Sequence, residues 1–99
     1  MRASEALRQH RDEVKALFKE AEKDGIFNVR LVGSVSKGKD TEKSDVDFLV
    51  STPVQGKLLK VLYLGTRLEE ILNKKVDILI EESLPIYLYY MVEESVKYE

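Results

Sequence analysis

The stretch GSVSKGKDTEKSDVDFLV, residues 33–50, holds the features that decide the fold of this 99-residue chain. From Val46 onward it is a run of branched and aromatic residues, which is typical of a buried β-strand. Two carboxylates, Asp45 and Asp47, stand at the entrance of that strand, one residue apart. Because side chains alternate along a strand, both point to the same face, about 6.6 Å apart along the backbone. Two charges at such a place require either solvent or a cation.

Hydrophobic periodicity on both sides of this stretch predicts alternating helices and strands. The expected elements, in chain order, are helix 4–24, strand 26–32, strand 46–51, helix 57–74, strand 76–80 and a last helical segment after Pro85. A long crossover helix between the second and third strands indicates a parallel or mixed sheet with helices packed against it. We therefore expect a small α/β (α+β) fold, formed by one domain over residues 1–99.

The last helical segment and the single histidine give weaker expectations. Helical spacing near the C-terminus predicts packing by several apolar side chains, namely Ile86, Tyr87, Tyr90, Met91 and Val92. His10 shares a helical face with Leu7, Val14 and Leu17, so the sequence favours a packing or interface role for it over catalysis.

Composition limits the classes of partner. The chain has a formal net charge of −2 and a pI near 5.5, so a broad basic surface for nucleic acid, and with it templated DNA synthesis, is not expected. It contains no cysteine, which excludes disulfides and is compatible with a reducing cytoplasm. The N-terminal residues lack a secretory h-region, and no apolar run reaches the roughly 20 residues of a membrane span. These features predict a small soluble cytoplasmic domain.

A third carboxylate, Asp77, holds a similar position at the start of the strand VDILI, residues 76–80. If this strand neighbours the one that begins after Asp45, about 4.8 Å separates them and the carboxylates Asp45, Asp47 and Asp77 could converge. Pairs of such charges about 4–5 Å apart repel by roughly 3–4 kcal/mol at an effective dielectric of 20. Oxygen ligands without His or Cys favour Mg²⁺ or Mn²⁺ over zinc. Two such ions can assist both the attacking and the leaving oxygen of a phosphoryl centre.

Gly33-Ser34 supplies a candidate phosphate cradle at the end of the first strand. If residues 34–38 form a helical turn, their free backbone N–H groups and dipole suit an anion. Lys37, Lys39 and Lys43 cluster in the same stretch and could steer a nucleotide electrostatically, although each is more simply a solvated lysine. Ser44 is more simply a turn residue than a catalyst.

The quoted stretch resembles the signature of the DNA polymerase beta-like nucleotidyltransferase superfamily, in which Gly-Ser is followed after ten residues by Asp-x-Asp. Here residues 35–44 separate Ser34 from Asp45. The chain most resembles the minimal nucleotidyltransferase family (MNT, or MntA-like), and the resemblance extends along most of its length. KVDILI, residues 75–80, supplies the late acid, and LPIYLYYMVEESVKYE, residues 84–99, resembles the closing segment of that family.

The resemblance implies an ATP-dependent nucleotidyltransferase in which Asp45 and Asp47 bind the metal and Asp77 acts as a further ligand or base. It implies that Gly33 and Ser34 hold the triphosphate, with Lys37 and Ser44 also at the nucleotide site. Members of the family often pair with a helical HEPN-domain ribonuclease toxin. They act as its antitoxin, in a type VII-like toxin–antitoxin pair, by transferring AMP to a tyrosine of the toxin. The chain departs from the family at Lys37, where arginine is usual; lysine keeps the charge but loses the planar two-point contact with phosphate.

Other interpretations remain open at this point. Asp45 and Asp47 could cap a turn, Asp77 could be a solvated strand start and Ser34 an ordinary helix cap. The chain could be a binding-only antitoxin that masks its partner without catalysis. In either case the chain and its partner could form a hetero-oligomer. It could also transfer a nucleotide to a small molecule or nucleic acid. The complete acidic set argues against the binding-only interpretation, because an idle site has no physical reason to keep three repelling carboxylates.

Overall fold

Helices cover one face of a mixed β-sheet in the computed structural model, which describes residues 1–98. The elements are α1 (Ala3–Gln9), α2 (Arg11–Glu22), β1 (Phe27–Val32), α3 (Gly33–Ser36), β2 (Val46–Ser51), α4 (Leu58–Leu72), β3 (Val76–Ile80), α5 (Tyr90–Glu94) and β4 (Val96–Lys97). Two short 3-10 helices, Glu81–Ser83 and Ile86–Leu88, lie between β3 and α5. None of the helices over this range has the length and apolar character needed to cross a bilayer.

The strand order across the sheet is β3-β2-β1-β4 over residues 1–98. Strand β1 runs antiparallel to β2 and to β4, whereas β2 and β3 are parallel. The parallel pair follows from the α4 crossover, because parallel neighbours need a connection long enough to return the chain to the same end of the sheet. The expected mixed sheet with helices packed against it is confirmed.

The core lies between the helices and one face of β2 and β3. Val46, Phe48 and Val50 of β2 are fully buried and pack in one cluster with residues of α1, α2 and α4. Because successive side chains of a strand point to opposite faces, Asp47 lies on the face away from these helices. The register Asp47↔Asp77 places Asp77 on that same outer face. The packing of Val46, Phe48 and Val50 against the helices therefore determines which face carries Asp47 and Asp77.

The predicted first helix is divided into α1 and α2 at His10, whose φ of −110° and ψ of 27° are not helical. The His10 ring is partly exposed, and its Nδ1 lies 3.0 Å from Glu13 Oε1. The periodicity that predicted one helix continues across the break because α1 and α2 both pack against the same core. Apolar spacing alone does not reveal such a break.

The packing expected of the C-terminal segment is wrong for three of its side chains. Ile86, Tyr87 and Tyr90 are 87%, 75% and 53% exposed, whereas Met91 and Val92 are partly buried. The physical reason is that 3-10 turns and the five-residue α5 replace a continuous helix, so that a 3.6-residue period does not select one buried face. After α5 the chain adds β4, a strand that the sequence analysis did not predict.

Candidate active site

Asp47 and Asp77 are Cα partners on the neighbouring parallel strands β2 and β3. Adjacent strands of a sheet lie about 4.8 Å apart, so the two carboxylates leave the same face side by side. Asp45 is exposed and directly precedes β2, two residues before Asp47. All three acids predicted from the sequence therefore lie at one edge of the outer face, where β2 and β3 begin.

The environment of Asp47 disfavours its charged form. Burial, followed by the charges of Asp77 and Asp45, raises the pKa of Asp47 above its ordinary value, and Lys75 acts in the opposite direction. A half-buried carboxylate beside two others is a place where a cation would lower the electrostatic free energy. The direction of this pKa shift supports a cation-binding role for the acids.

Gly33 lies against Asp47 at the end of β1. Its φ is +74°, a left-handed conformation that residues with a side chain rarely adopt. A Cβ at this position would lie 2.7 Å from Asp47 Oδ2, so any other residue would collide with the carboxylate. The register Val32↔Asp47 produces this approach, because it brings the end of β1 beside the start of β2. Gly33 thus lets the chain turn directly beside the acids.

The α3 turn, Gly33–Ser36, follows at once. The Ser36 hydroxyl donates to the Gly33 carbonyl at 2.7 Å, and the Ser34 carbonyl accepts the N–H groups of Lys37 at 3.2 Å and Lys39 at 2.9 Å. These bonds close a compact helical turn at the position where the sequence required one for a phosphate cradle. Ser34 lies in this turn, next to Gly33, and is partly exposed.

The two remaining residues predicted at the nucleotide site lie on the loop between α3 and β2. Lys37 is half-exposed, and its Nζ lies 3.3 Å from Glu94 Oε2 of α5. Ser44 closes a turn, because its Oγ accepts the N–H of Thr41 at 2.8 Å. The turn role of Ser44 agrees with its simpler interpretation, and the position of Lys37 keeps a positive charge beside the α3 turn.

A groove of about 480 Å³ borders the acids and was not foreseen from the sequence. Its lining combines Asp47 and Asp77 with residues of α4, β3 and α5. The members that enclose it are mainly apolar or small: Val61, Leu62, Gly65, Thr66, Val76, Ile78, Leu79 and Met91, with Glu69. Helix α5 thus contributes Met91 to the groove that contains Asp47 and Asp77, and it contributes Glu94 to an ion pair with Lys37. No local pattern could have shown this, because the groove brings together separate elements, with Asp47 and Met91 forty-four residues apart.

The carboxylate oxygens are the kind of ligand that a divalent metal prefers, but the three side chains do not form a complete set of ligands around one point. Within the part of the chain that the structure describes, no three His, Cys, Asp or Glu side chains form a ready-made metal site. Asp45 lies in a loop and Asp77 is exposed, so their oxygens are not gathered onto one point. Mg²⁺ commonly takes only one or two carboxylates and completes its shell with water and substrate phosphates. The carboxylates present suit that mode of binding.

Comparison with known proteins places the chain among nucleotidyltransferases. The family described as Nucleotidyltransferase domain matches residues 7–98. A relative from Methanocaldococcus jannaschii, named as a candidate protein adenylyltransferase, is 30% identical over 95 residues, which cover 95% of this chain and 91% of the relative. The protein adenylyltransferase MntA of Thermococcus cleftensis is 33% identical over 78 residues, covering 79% of this chain and 73% of MntA.

Solved structures share the fold. The structure of a candidate minimal nucleotidyltransferase matches with a TM-score of 0.77 and 31% identity, covering 93% of this chain and 95% of the other. A crystal structure of a toxin–antitoxin with AMP-PNP matches with a TM-score of 0.67 and 22% identity, covering 84% and 70%. At that identity the second match is evidence for the fold alone. The expected nucleotidyltransferase fold is confirmed.

Proposed function

The chain belongs to the nucleotidyltransferase domain family, and we propose that it transfers AMP from ATP to a tyrosine hydroxyl of a partner toxin of the HEPN class. In this proposal residues 1–99 act as one minimal nucleotidyltransferase domain in the cytoplasm, and the transfer makes the chain the antitoxin of a type VII-like pair. The relatives named as protein adenylyltransferases support a protein acceptor. The toxin–antitoxin structure with AMP-PNP shares the fold, and we take its adenine nucleotide and toxin partner as the hypothesis for this chain.

One observation carries the proposal: the α3 turn and the acidic residues meet at a single edge of the sheet. The Cβ that Gly33 lacks would lie 2.7 Å from Asp47 Oδ2, and Asp77 faces Asp47 from the next strand. The backbone N–H groups at the start of a helical turn suit phosphate oxygens, and adjacent carboxylates suit the divalent ions that accompany a nucleoside triphosphate. Few other substrates require both features side by side.

We assign the roles as follows. Asp45 and Asp47 would hold Mg²⁺, with Asp77 as a third ligand or as the base for the acceptor. When bound, the ions supply charge neutralisation at the phosphates and at the leaving oxygen. Gly33 and Ser34 position the β- and γ-phosphates through the backbone of α3. Lys37 and Ser44 complete the nucleotide site, the lysine by its charge and the serine by holding the loop that leads to Asp45.

The proposed reaction is an in-line displacement at the α-phosphorus of ATP. The acceptor hydroxyl oxygen forms a bond to this phosphorus, and the bond from the phosphorus to the bridging oxygen of the β-phosphate breaks. The products are an AMP-modified tyrosine and pyrophosphate, and the proton of the hydroxyl passes to a carboxylate such as Asp77 or to solvent. Asp77 suits this proton transfer because it is exposed, at the open side of the acidic pair.

The acceptor would come from a separate chain. The described residues form one sheet and its covering helices, with Met91 of α5 in the groove that borders the acids. The groove bordered by Asp77 and Met91 is open and lined mainly by apolar side chains, which suits an aromatic side chain entering from outside. A tyrosine that enters there would bring its hydroxyl toward Asp77.

The test is incubation of the chain and the product of the adjacent gene with Mg²⁺ and ATP labelled at the α-phosphate. We expect label on the partner protein with α-labelled ATP and none with γ-labelled ATP, because adenylyl transfer retains only the α-phosphate. An Asp45→Asn/Asp47→Asn variant is the matched control and should give no labelled product. Absence of label on any protein, with folded components, would contradict the proposal.

The same pair of proteins separates catalysis from masking. If Asp45→Ala/Asp47→Ala still neutralises the partner at equal molar ratio, the binding-only interpretation is correct. If neutralisation needs ATP, Mg²⁺ and both aspartates, and one chain inactivates many partner molecules, transfer is correct. Neutralisation by less than one chain per partner molecule would distinguish transfer from masking, because a masking protein cannot act on more molecules than it binds.

A further inference from the structure

The loop that joins α3 to β2 contains a buried acid. Asp40 is 7% exposed, whereas its neighbours Lys39 and Thr41 are exposed, as are Glu42 and Lys43. A carboxylate is costly to bury unless hydrogen bonds replace its lost water. Loops normally keep such residues in solvent, so the burial of Asp40 in an otherwise exposed polar loop requires a specific partner.

The partner is the N-terminus of α1. Asp40 Oδ2 accepts the backbone N–H of Ser4 at 2.9 Å, across 36 residues of sequence. The hydrogen bond from the Ser4 N–H is the main cause of a lowered pKa at Asp40, and a hydrogen bond from the Ser4 hydroxyl is the second cause. Asp40 is therefore a carboxylate at neutral pH. The first N–H groups of a helix have no partner within the helix, and an anion there is favoured by the helix dipole. Arg2, the N-cap residue, has no acceptor atom in its side chain.

The α1 helix is itself firmly placed. Ala3, Ala6 and Leu7 are 0%, 1% and 6% exposed and belong to the core cluster. A bond from Asp40 to Ser4 therefore connects the loop to the hydrophobic core through α1. Further bonds restrain the loop as well. Lys74 Nζ donates to the Glu42 carbonyl at 2.6 Å, the N-terminal amine of Met1 pairs with the Glu42 carboxylate, and the Lys39 N–H donates to the Ser34 carbonyl.

The loop has functional residues at both ends. Lys37 follows the α3 turn at one end, and Asp45 precedes β2 at the other. A shift of the loop would move both toward or away from the phosphates and the metal, and misplacement of about 1 Å can cost about 100-fold in rate. The region that matches the nucleotidyltransferase domain family begins at Leu7, so Ser4 lies outside it.

We infer that Asp40 is a positioning residue of the nucleotide site: by binding the Ser4 N–H it fixes the loop that sets Lys37 and Asp45 relative to each other. The inference rests on the proposed function, since it assigns Asp40 to the site where ATP would bind. Asp40 acts through the loop and touches neither the nucleotide nor the acceptor.

The experiment compares Asp40→Ala with Asp40→Asn in the full chain. Alanine removes the acceptor, whereas the amide oxygen of asparagine can still accept the Ser4 N–H. Amide exchange of residues 37–44 and the Kd for Mg-ATP are measured at one temperature. Loss of a charge-assisted hydrogen bond should speed exchange in the loop and raise the Kd, each by about five- to tenfold in Asp40→Ala. Asp40→Asn should restore both to within about twofold of the natural chain, a small difference for one hydrogen bond.

Two further variants separate positioning from general stability. Ser4→Ala keeps the backbone N–H, the main donor to Asp40, and removes only the hydroxyl, so loop exchange and Kd should change clearly less than in Asp40→Ala. Val14→Ala removes buried methyl groups from α2, an element separate from the loop, and should lower Tm without selective exchange in residues 37–44. A Kd that follows Tm equally in Val14→Ala and Asp40→Ala would overturn the inference, as would unchanged loop exchange in Asp40→Ala. Failure of the unaltered chain to bind Mg-ATP would overturn the proposed function instead, while exchange in the loop would still decide whether Asp40 anchors it.

Discussion

Asp47 of β2 and Asp77 of β3 face each other across two parallel strands, thirty residues apart in sequence and partners in register. The backbone hydrogen bonds of the sheet hold this arrangement, so the two carboxylates cannot separate without breaking the strand pair. Burial and the nearby charges of Asp77 and Asp45 raise the pKa of Asp47. The fold therefore imposes an electrostatic cost at the place where the proposed reaction needs negative ligands, a common relation between stability and function.

Asp47→Asn should stabilise the metal-free protein and abolish transfer. The amide keeps the shape of the carboxylate but removes a charge that Asp77 and Asp45 repel. We expect the free energy of unfolding without metal to rise by about 1 kcal/mol, as is common when a substitution removes electrostatic repulsion from a functional site. Chemical denaturation with and without Mg²⁺ measures this. If Mg²⁺ stabilised the natural chain and Asp47→Asn equally, this would contradict a ligand role for Asp47.

The stability of the metal-free protein should also depend on pH through Asp47. Because folding raises the pKa of Asp47, its protonated form favours the folded state. Its stabilising contribution is full below the unfolded pKa and is lost as pH rises through the folded pKa. Comparison of unfolding curves for the natural chain and Asp47→Asn across this range isolates the effect, which should be absent from the variant. A difference between the two proteins that stays constant with pH would show that Asp47 does not titrate in this way.

Gly33→Ala should impair the site more than it impairs folding. The new Cβ would lie 2.7 Å from Asp47 Oδ2 and would displace this carboxylate. Gly25→Ala is the matched control: Gly25 has φ +81° but open space around it. Both variants should lose about 1–2 kcal/mol from the left-handed conformation. Only Gly33→Ala should also lose Mg-ATP binding, measured by titration; equal binding by both variants would contradict the role assigned to Gly33.

Glu94→Gln should strengthen nucleotide binding modestly. Glu94 Oε2 lies 3.3 Å from Lys37 Nζ, and both side chains are about half-exposed, so this carboxylate competes with phosphate oxygens for the lysine. A surface ion pair contributes about 0–1 kcal/mol, which limits the gain in affinity to about fivefold. The gain should disappear at high salt and in a Lys37→Ala background. A gain that persists in that background would assign the effect to another contact.

Tyr98→Phe should leave the protein as stable as before or raise its free energy of unfolding by up to about 1 kcal/mol. The Tyr98 ring packs at 5.7 Å from the Phe48 ring and 6.0 Å from the Phe18 ring, measured between centroids. Its buried hydroxyl has no hydrogen-bond partner among the described residues. Tyr98→Ala is the contrast, since loss of the ring should cost about 2 kcal/mol. Thermal unfolding measures both; a destabilised Tyr98→Phe would reveal a bond made by the hydroxyl in solution.

Much of the central architecture could be predicted from local patterns. The apolar runs VDFLVS and VDILI predicted strands 46–51 and 76–80, and both are present with those bounds. Strand β2 is almost entirely buried and β3 is partly buried, so their branched residues leave a clear pattern. The helix after Pro53 was also expected, and it is observed as α4. The roles of the acids at these strands remain predictions from spacing and resemblance.

The C-terminal segment shows where such reasoning ends. Tyr87 and Tyr90 have apolar bodies at helical spacing, yet they are exposed, while Tyr98 beyond them packs against Phe18 and Phe48. Which of these tyrosine rings is buried depends on the side of the sheet that the chain crosses after β3. No pattern in residues 84–98 indicates that side. Asp40 is a similar case, because a carboxylate in a polar loop looks solvated until its partner Ser4 is known.

By itself the sequence determined the strands β1, β2 and β3, the crossover and the spacing of Gly33, Asp45 and Asp47, because these follow from side-chain periodicity and chain length. Only the tertiary structure decided that Asp77 stands opposite Asp47, that Gly33 lies against that carboxylate, and that Asp40 is anchored to Ser4. These relations join distant segments, and they depend on strand register and helix position. Register and position are set by the packing of the whole core rather than by any local stretch of residues.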